Sequence, residues 1–153
     1  MHALKGILST LVILAFPSGS AAADLCSKQK QLRLLRAGAV PIRYEQIVPN
    51  YSDRSVLPVL IKKIEKWGCM PNGHSFLFVI DTQHPGLLIP QDMRLLYPDE
   101  MSLILEYQFD RVRVGKTSFT AQLWFDGEAK RVIVPYESIS RFVDEPAEID
   151  IAF

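Results

Sequence analysis

TSFTAQLWFDGEAKRVIVPY, residues 117 to 136, alternates apolar and polar positions on both sides of a two-residue turn. Phe119, Ala121, Leu123 and Phe125 fall on one face of an extended segment, and Lys130 to Tyr136 reads as the strand that returns. Asp126-Gly127 between them is a pair that accepts the positive φ angles of a tight hairpin turn. Period two, set around such a turn, predicts antiparallel sheet.

Outward from this hairpin the same periodicity recurs. Met101 to Phe109 is read as a strong strand, followed by a polar turn and Val112 to Val114. Ser75 to Thr82 is read as a strand with Phe76, Phe78 and Ile80 on one side, and His84-Pro85-Gly86 as a turn. Leu87 to Pro90 is a short extended piece, and Gln91 to Tyr97 a helical turn stopped by Pro98. Glu137 to Val143 is expected to form a final helical turn and Ala147 to Phe153 a last strand. Tyr44 to Trp67 shows helical spacing in its second half, with Val56, Leu57, Leu60, Ile61 and Ile64 on one face and Lys62, Lys63, Glu65 and Lys66 elsewhere. Ser52 or Ser55 can cap this helix and Gly68 ends it. Pro58 fits only in the first turn, and Pro49 predicts a break near the front. The expected class is α+β: an N-terminal helix packed on a curled antiparallel sheet.

The chain has 153 residues, enough for one domain with a true core. Lys and Arg number 17, and so do Asp and Glu, so the formal net charge is zero. That balance argues against long-range attraction to nucleic acid, which needs clustered cations. The densest basic stretch, Lys28 to Arg36, is read as a solvated segment.

Residues 1 to 23 resemble a secretory signal: Lys5, an apolar run from Gly6 to Phe16, a break at Pro17-Ser18-Gly19, and Ala21-Ala22-Ala23 before Asp24. The run is too short to span a bilayer, so no membrane anchoring is expected. A second reading places the functional start further along, for example at Val40, since no Met occurs between Met1 and Met70. Residues 24 to 43 read as a linker and 44 to 153 as the domain. The two cysteines, Cys26 and Cys69, cannot make a metal site alone, and a disulfide between them would require an oxidising compartment.

Catalytic constellations are not found. His74 and His84 bracket one strand, a spacing unsuited to a shared metal, and read as loop residues. Asp99 and Glu100 are neighbours pointing to opposite faces and read as solvated surface. Phosphate loops, nucleophile elbows and zinc-protease motifs are absent. Phe119, Trp124 and Phe125 read as core packing rather than a base-stacking platform. No enzyme, cofactor or metal is therefore expected. What remains is a sheet whose edges offer unpaired N–H and C=O groups to an extended peptide.

The segment Tyr97-Pro98-Asp99-Glu100-Met101 through Leu103-Ile104-Leu105-Glu106-Tyr107-Gln108-Phe109 resembles a characteristic stretch of the stringent starvation protein B (SspB) family, YP(D/E)EM followed by VLQHQ(F/Y). Further matches follow in order: Arg43-Tyr44, Pro71-Asn72-Gly73-His74-Ser75-Phe76, Thr82-Gln83-His84-Pro85-Gly86, Phe125-Asp126-Gly127 with Val132-Ile133-Val134-Pro135-Tyr136, and Asp150-Ile151-Ala152-Phe153. The resemblance spans residues 43 to 153. It implies an Sm-like β-sandwich or barrel carrying a helix. It also implies a cytoplasmic, dimeric adaptor that binds ssrA-type degradation tags and delivers tagged proteins to ClpX of the ClpXP protease. By the same resemblance the peptide groove involves Glu106, Tyr107, Gln108, Leu123 and Phe125, and the dimer surface lies around Tyr44.

Three features depart from the family pattern. Glu106 stands where Gln is frequent, exchanging a donor–acceptor for an acceptor. Pro49 and Pro58 interrupt a helix that is more regular in the family. The family's flexible tail with its ClpX-binding motif has no counterpart after Phe153. A competing expectation is an exported β-rich binding or structural domain that kept the fold and lost the partner.

Overall fold

The computed structural model describes residues 12–13, 32, 42–71, 73–106 and 109–153. The leader, apart from residues 12–13, and nearly all of the linker, including Cys26 and the basic stretch, lie outside the described residues.

Prolines divide the helical part of the chain. Tyr44–Ile47 (α1) is a single turn of helix, continued as a 3-10 turn over Val48–Asn50 with Pro49 at its start. The main helix, Val56–Trp67 (α2), follows after a short turn. Pro58 sits in its first turn, where a missing N–H leaves no bond unmade. Ser55 occupies the N-cap position without a side-chain capping bond; its backbone N–H instead donates to Asp53 Oδ1 at 2.9 Å. Gly68 adopts φ 70°, and its N–H donates to the Ile64 carbonyl at 2.7 Å. A left-handed residue there ends the helix, and glycine takes that conformation without steric cost. Val56, Leu57, Leu60, Ile61 and Ile64 form the buried face of α2.

The strands are Val12–Ile13 (β1), Phe76–Asp81 (β2), Glu100–Leu105 (β3), Phe109–Val114 (β4), Ser118–Phe125 (β5), Glu128–Pro135 (β6), Ile139–Asp144 (β7) and Ile149–Ala152 (β8), with a short helix Gln91–Leu96 (α3) before β3. They make two sheets. One is antiparallel in the order β3-β2-β7-β8, and β1 adds to its β3 edge in parallel, Val12 opposite Ser102 and Ile13 opposite Leu103. The other is β4-β5-β6, also antiparallel. A bridge between Leu88 and Ile133 ties the segment before α3 to β6. The fold is thus α+β, with two antiparallel sheets and few helices, as the periodicity predicts.

The core lies between the sheets. Phe76 meets Phe142 edge-on at 4.9 Å, and Phe78 from the first sheet meets Phe119 from the second at 5.3 Å. Aromatic pairs in this range add stabilisation beyond the area they bury. α2 packs against β4 and closes one side of the core.

Two strand assignments differ from the periodicity. The run Met101 to Phe109 is not one strand: β3 ends at Leu105, and Phe109 begins β4 in the other sheet. Leu105 and Phe109 are both buried, so apolar alternation continues through the corner and conceals it. Glu137 to Val143 is also not helical beyond a 3-10 turn at Tyr136–Ser138; Ile139–Asp144 is β7, paired on both sides. The register of β7 on β2 slips by one residue at Ser140, between Val79–Arg141 and Ile80–Ile139. A bulge inserts one residue and breaks the period of two.

Candidate peptide-binding site

Strand β3 is fixed at its start by a set of backbone contacts. Arg94 Nη1 donates to the Thr82 carbonyl at 2.5 Å and Nη2 to the Leu87 carbonyl at 2.6 Å, bracing the turn at His84-Pro85-Gly86. Thr82 Oγ1 donates to the Tyr97 carbonyl at 2.6 Å, and its N–H to the Asp99 carbonyl at 3.0 Å. That last bond sets the phase of the ladder. Counting from Thr82 and Asp99, Met101, Leu103 and Leu105 exchange bonds with β2, so the N–H and C=O groups of Ser102 and Ile104 point to the free side of β3. It is these groups that meet β1.

Of the other edges, those of β4 and β8 are obstructed, and β6 is bridged at Ile133 by Leu88. On β4 the pairs Asp110–Gln122 and Arg113–Thr120 show a one-residue bulge, with Arg111 at φ 51°. At its end the Val114 N–H donates to Glu65 Oε2 of α2 at 2.6 Å. β8 is four residues long, and Asp150 is clamped by Arg141 at 2.7 Å and 2.5 Å. That pairing holds the Asp150 carboxyl below the usual carboxylate range. Short, bulged or charged edges resist strand addition. On the outer face of the first sheet, where alternation places them, Val79, Ser102 and Val143 are buried. Ser102 Oγ has no hydrogen-bond partner among the described residues.

Glu106, expected in the groove, follows β3 directly and is partly exposed at the corner between the sheets. Tyr107 and Gln108 lie outside the described residues. Leu123 and Phe125 are 3% and 5% exposed and belong to the inter-sheet core, so their side chains do not line an open surface of this chain. Asp99 and Glu100 are exposed, and Asp99 accepts from Gln83 at 2.8 Å.

Tyr44, expected at a dimer surface, points inward. Its hydroxyl donates to Asp144 Oδ2 at 2.5 Å. Burial, and then the neighbouring Asp144 carboxylate, push the Tyr44 phenol well above its ordinary value. His74 lies 2.7 Å from the same Oδ2 through Nδ1, while its Nε2 accepts the Ile42 N–H at 3.1 Å. Nε2 therefore carries the lone pair, and Nδ1 holds the proton it donates to Asp144. Asp144 Oδ1 accepts the Ser75 N–H at 3.0 Å. A fully buried carboxylate thus receives three hydrogen bonds and ties the chain at 42–44 to the end of the sheet. His74 is thus a loop residue, as expected, but a buried one, and sequence reasoning missed its partner Asp144 altogether. Beside this cluster lies an open cleft of ≈ 770 Å³, with Val48, Pro49, Ala147, Ile149 and Ile151 among its lining residues. Among the described residues no group of three or more metal-binding side chains occurs, and no helix is long and apolar enough to cross a membrane.

A helix on two largely antiparallel sheets defines an α+β domain of the two-sheet kind. Residues 50–153 match the family model for stringent starvation protein B, and the chain belongs to that family. Membership supports an adaptor-type role in ClpXP proteolysis in general terms. No curated protein matches the chain.

Proposed function

We propose that the chain is a non-enzymatic cytoplasmic adaptor that holds an ssrA-type degradation tag in extended form and brings tagged proteins to ClpX. The supporting observation is the β3 edge, where the backbone groups of Ser102 and Ile104 face outward and lead to the partly exposed Glu106. Main-chain pairing along such an edge gives affinity without a special motif, and neighbouring side chains supply selectivity. Glu106 offers acceptors only, suited to peptide N–H groups rather than to an acidic side chain of the tag. A homodimer through the surface around Tyr44 completes the reading, with the apolar rim of Val48, Pro49, Ile149 and Ile151 as its contact.

Glu106→Ala tests the placement. Loss of a charge-assisted acceptor corresponds to about a tenfold weaker tag affinity, measured by fluorescence anisotropy with the source organism's own tag peptide. An unchanged affinity in a folded variant would remove Glu106 from the groove.

A further inference from the structure

We infer that the N-terminal segment carrying β1 is a displaceable intramolecular occupant of the β3 edge, which an incoming extended peptide has to displace. The inference rests on the proposed peptide site only for that second clause. Its basis is the register. Val12 lies opposite Ser102 and Ile13 opposite Leu103, in parallel. Parallel pairing at this register uses the outward groups of Ser102 and Ile104, the same groups that β2 leaves free. The pairing is two residues long, whereas β2 pairs with β3 over six positions. A short parallel ladder is the weaker partner of β3 and the first to open.

Competition follows from this occupancy. If the edge is free in a minor fraction of molecules, the apparent affinity for any external strand falls by that fraction. With the edge open in one to ten per cent of molecules, a range common for minor states, the reduction is about ten- to a hundredfold.

The test uses the full chain and the double variant Val12→Pro/Ile13→Pro, since proline removes the N–H and cannot continue a ladder. Amide hydrogen exchange is read at Ser102 and Ile104, with Met101 and Leu103, which bond to β2, as internal controls. The expected result is protection at all four in the wild type and a loss of at least about tenfold at Ser102 and Ile104 alone in the variant. Unprotected Ser102 and Ile104 in the wild type, or no change in the variant, would overturn the inference. Loss at Met101 and Leu103 as well would also overturn it, because β1 would then be part of the fold rather than its occupant. Binding of the tag peptide is measured on both proteins. Tighter binding by the variant supports competition at this edge. Selective exchange with unaltered or absent tag binding upholds the self-occupancy and moves the tag site elsewhere.

Discussion

Replacing Asp144 with alanine removes the acceptor shared by the Tyr44 hydroxyl, His74 Nδ1 and the Ser75 N–H. The Tyr44 and His74 bonds are buried and the Ser75 bond is half-buried, with Asp144 0% and His74 6% exposed. A hydrogen bond to a charged group contributes about 1.5–3 kcal/mol, and a buried donor left unpaired costs about 1–3 kcal/mol. Three such donors would sum to more than the group can lose, because the loosened site admits water and the terms are not independent. A loss of about 3–5 kcal/mol is the expected range, matching the breaking of a buried charged pair. Set against a total stability of about 5–15 kcal/mol, this leaves a marginal protein. At about 2–4 °C per kcal/mol, the melting temperature falls by roughly 6–20 °C. Urea unfolding followed by circular dichroism measures the change, and an m-value equal to that of the wild type shows that the two end states are comparable. Tyr44→Phe removes one donor and should lose about 1–2 kcal/mol. A double-mutant cycle between Tyr44→Phe and His74→Ala then gives their coupling through Asp144. A loss below about 1 kcal/mol for Asp144→Ala would refute the reasoning, since the cluster would then be an ornament of the sheet end and not its anchor.

Leu103→Asp and Phe119→Asp each bury an unpaired carboxylate in the inter-sheet core, where both positions are at most 1% exposed. Both variants should be unfolded or molten at neutral pH, and an unaltered thermal melt would show that these side chains do not face the core. Stability should also fall on the alkaline side. Burial and Asp144 raise the Tyr44 phenol, and burial, with Glu65 nearby, pushes Tyr136 up to about 12. A raised folded-state value gives stability that is complete below the ordinary tyrosine value of about 10 and is lost as the pH climbs past it. Melts recorded from pH 8 to 12 should show a decline beginning near pH 10, shallower in Tyr44→Phe.

The hairpin at 118–135 was fully legible, because strict alternation and Asp126-Gly127 agree on one geometry; Asp126 and Gly127 take φ 49° and 80°. The face of α2 was legible for the same reason, as Pro58, Gly68 and the apolar spacing point to a single helix. The corner at Leu105–Phe109 was not. Both ends face the same core from different sheets, so the pattern carries no mark of the crossing. Nor was β7, whose bulge at Ser140 disturbs the periodicity by which strands are recognised. The Tyr44–His74–Asp144 cluster joins residues 70 and 100 positions apart, and no local spacing reports such a contact. For the candidate site, the resemblance pointed to Glu106, while the outward phase of Ser102 and Ile104 required the ladder itself.

The unequal edges of the two sheets bear on how copies of this protein can associate. Growth into a fibre by strand addition needs two compatible edges on every molecule, one to give and one to receive. Here β4 is bulged at Arg111 and capped by Glu65, and β8 is short and carries the Asp150–Arg141 clamp. β3 gives its outward groups to β1, and β6 is bridged on its outer side at Ile133 by Leu88. Two molecules that meet through β3 alone, with β1 displaced, use up that edge and form a two-fold pair.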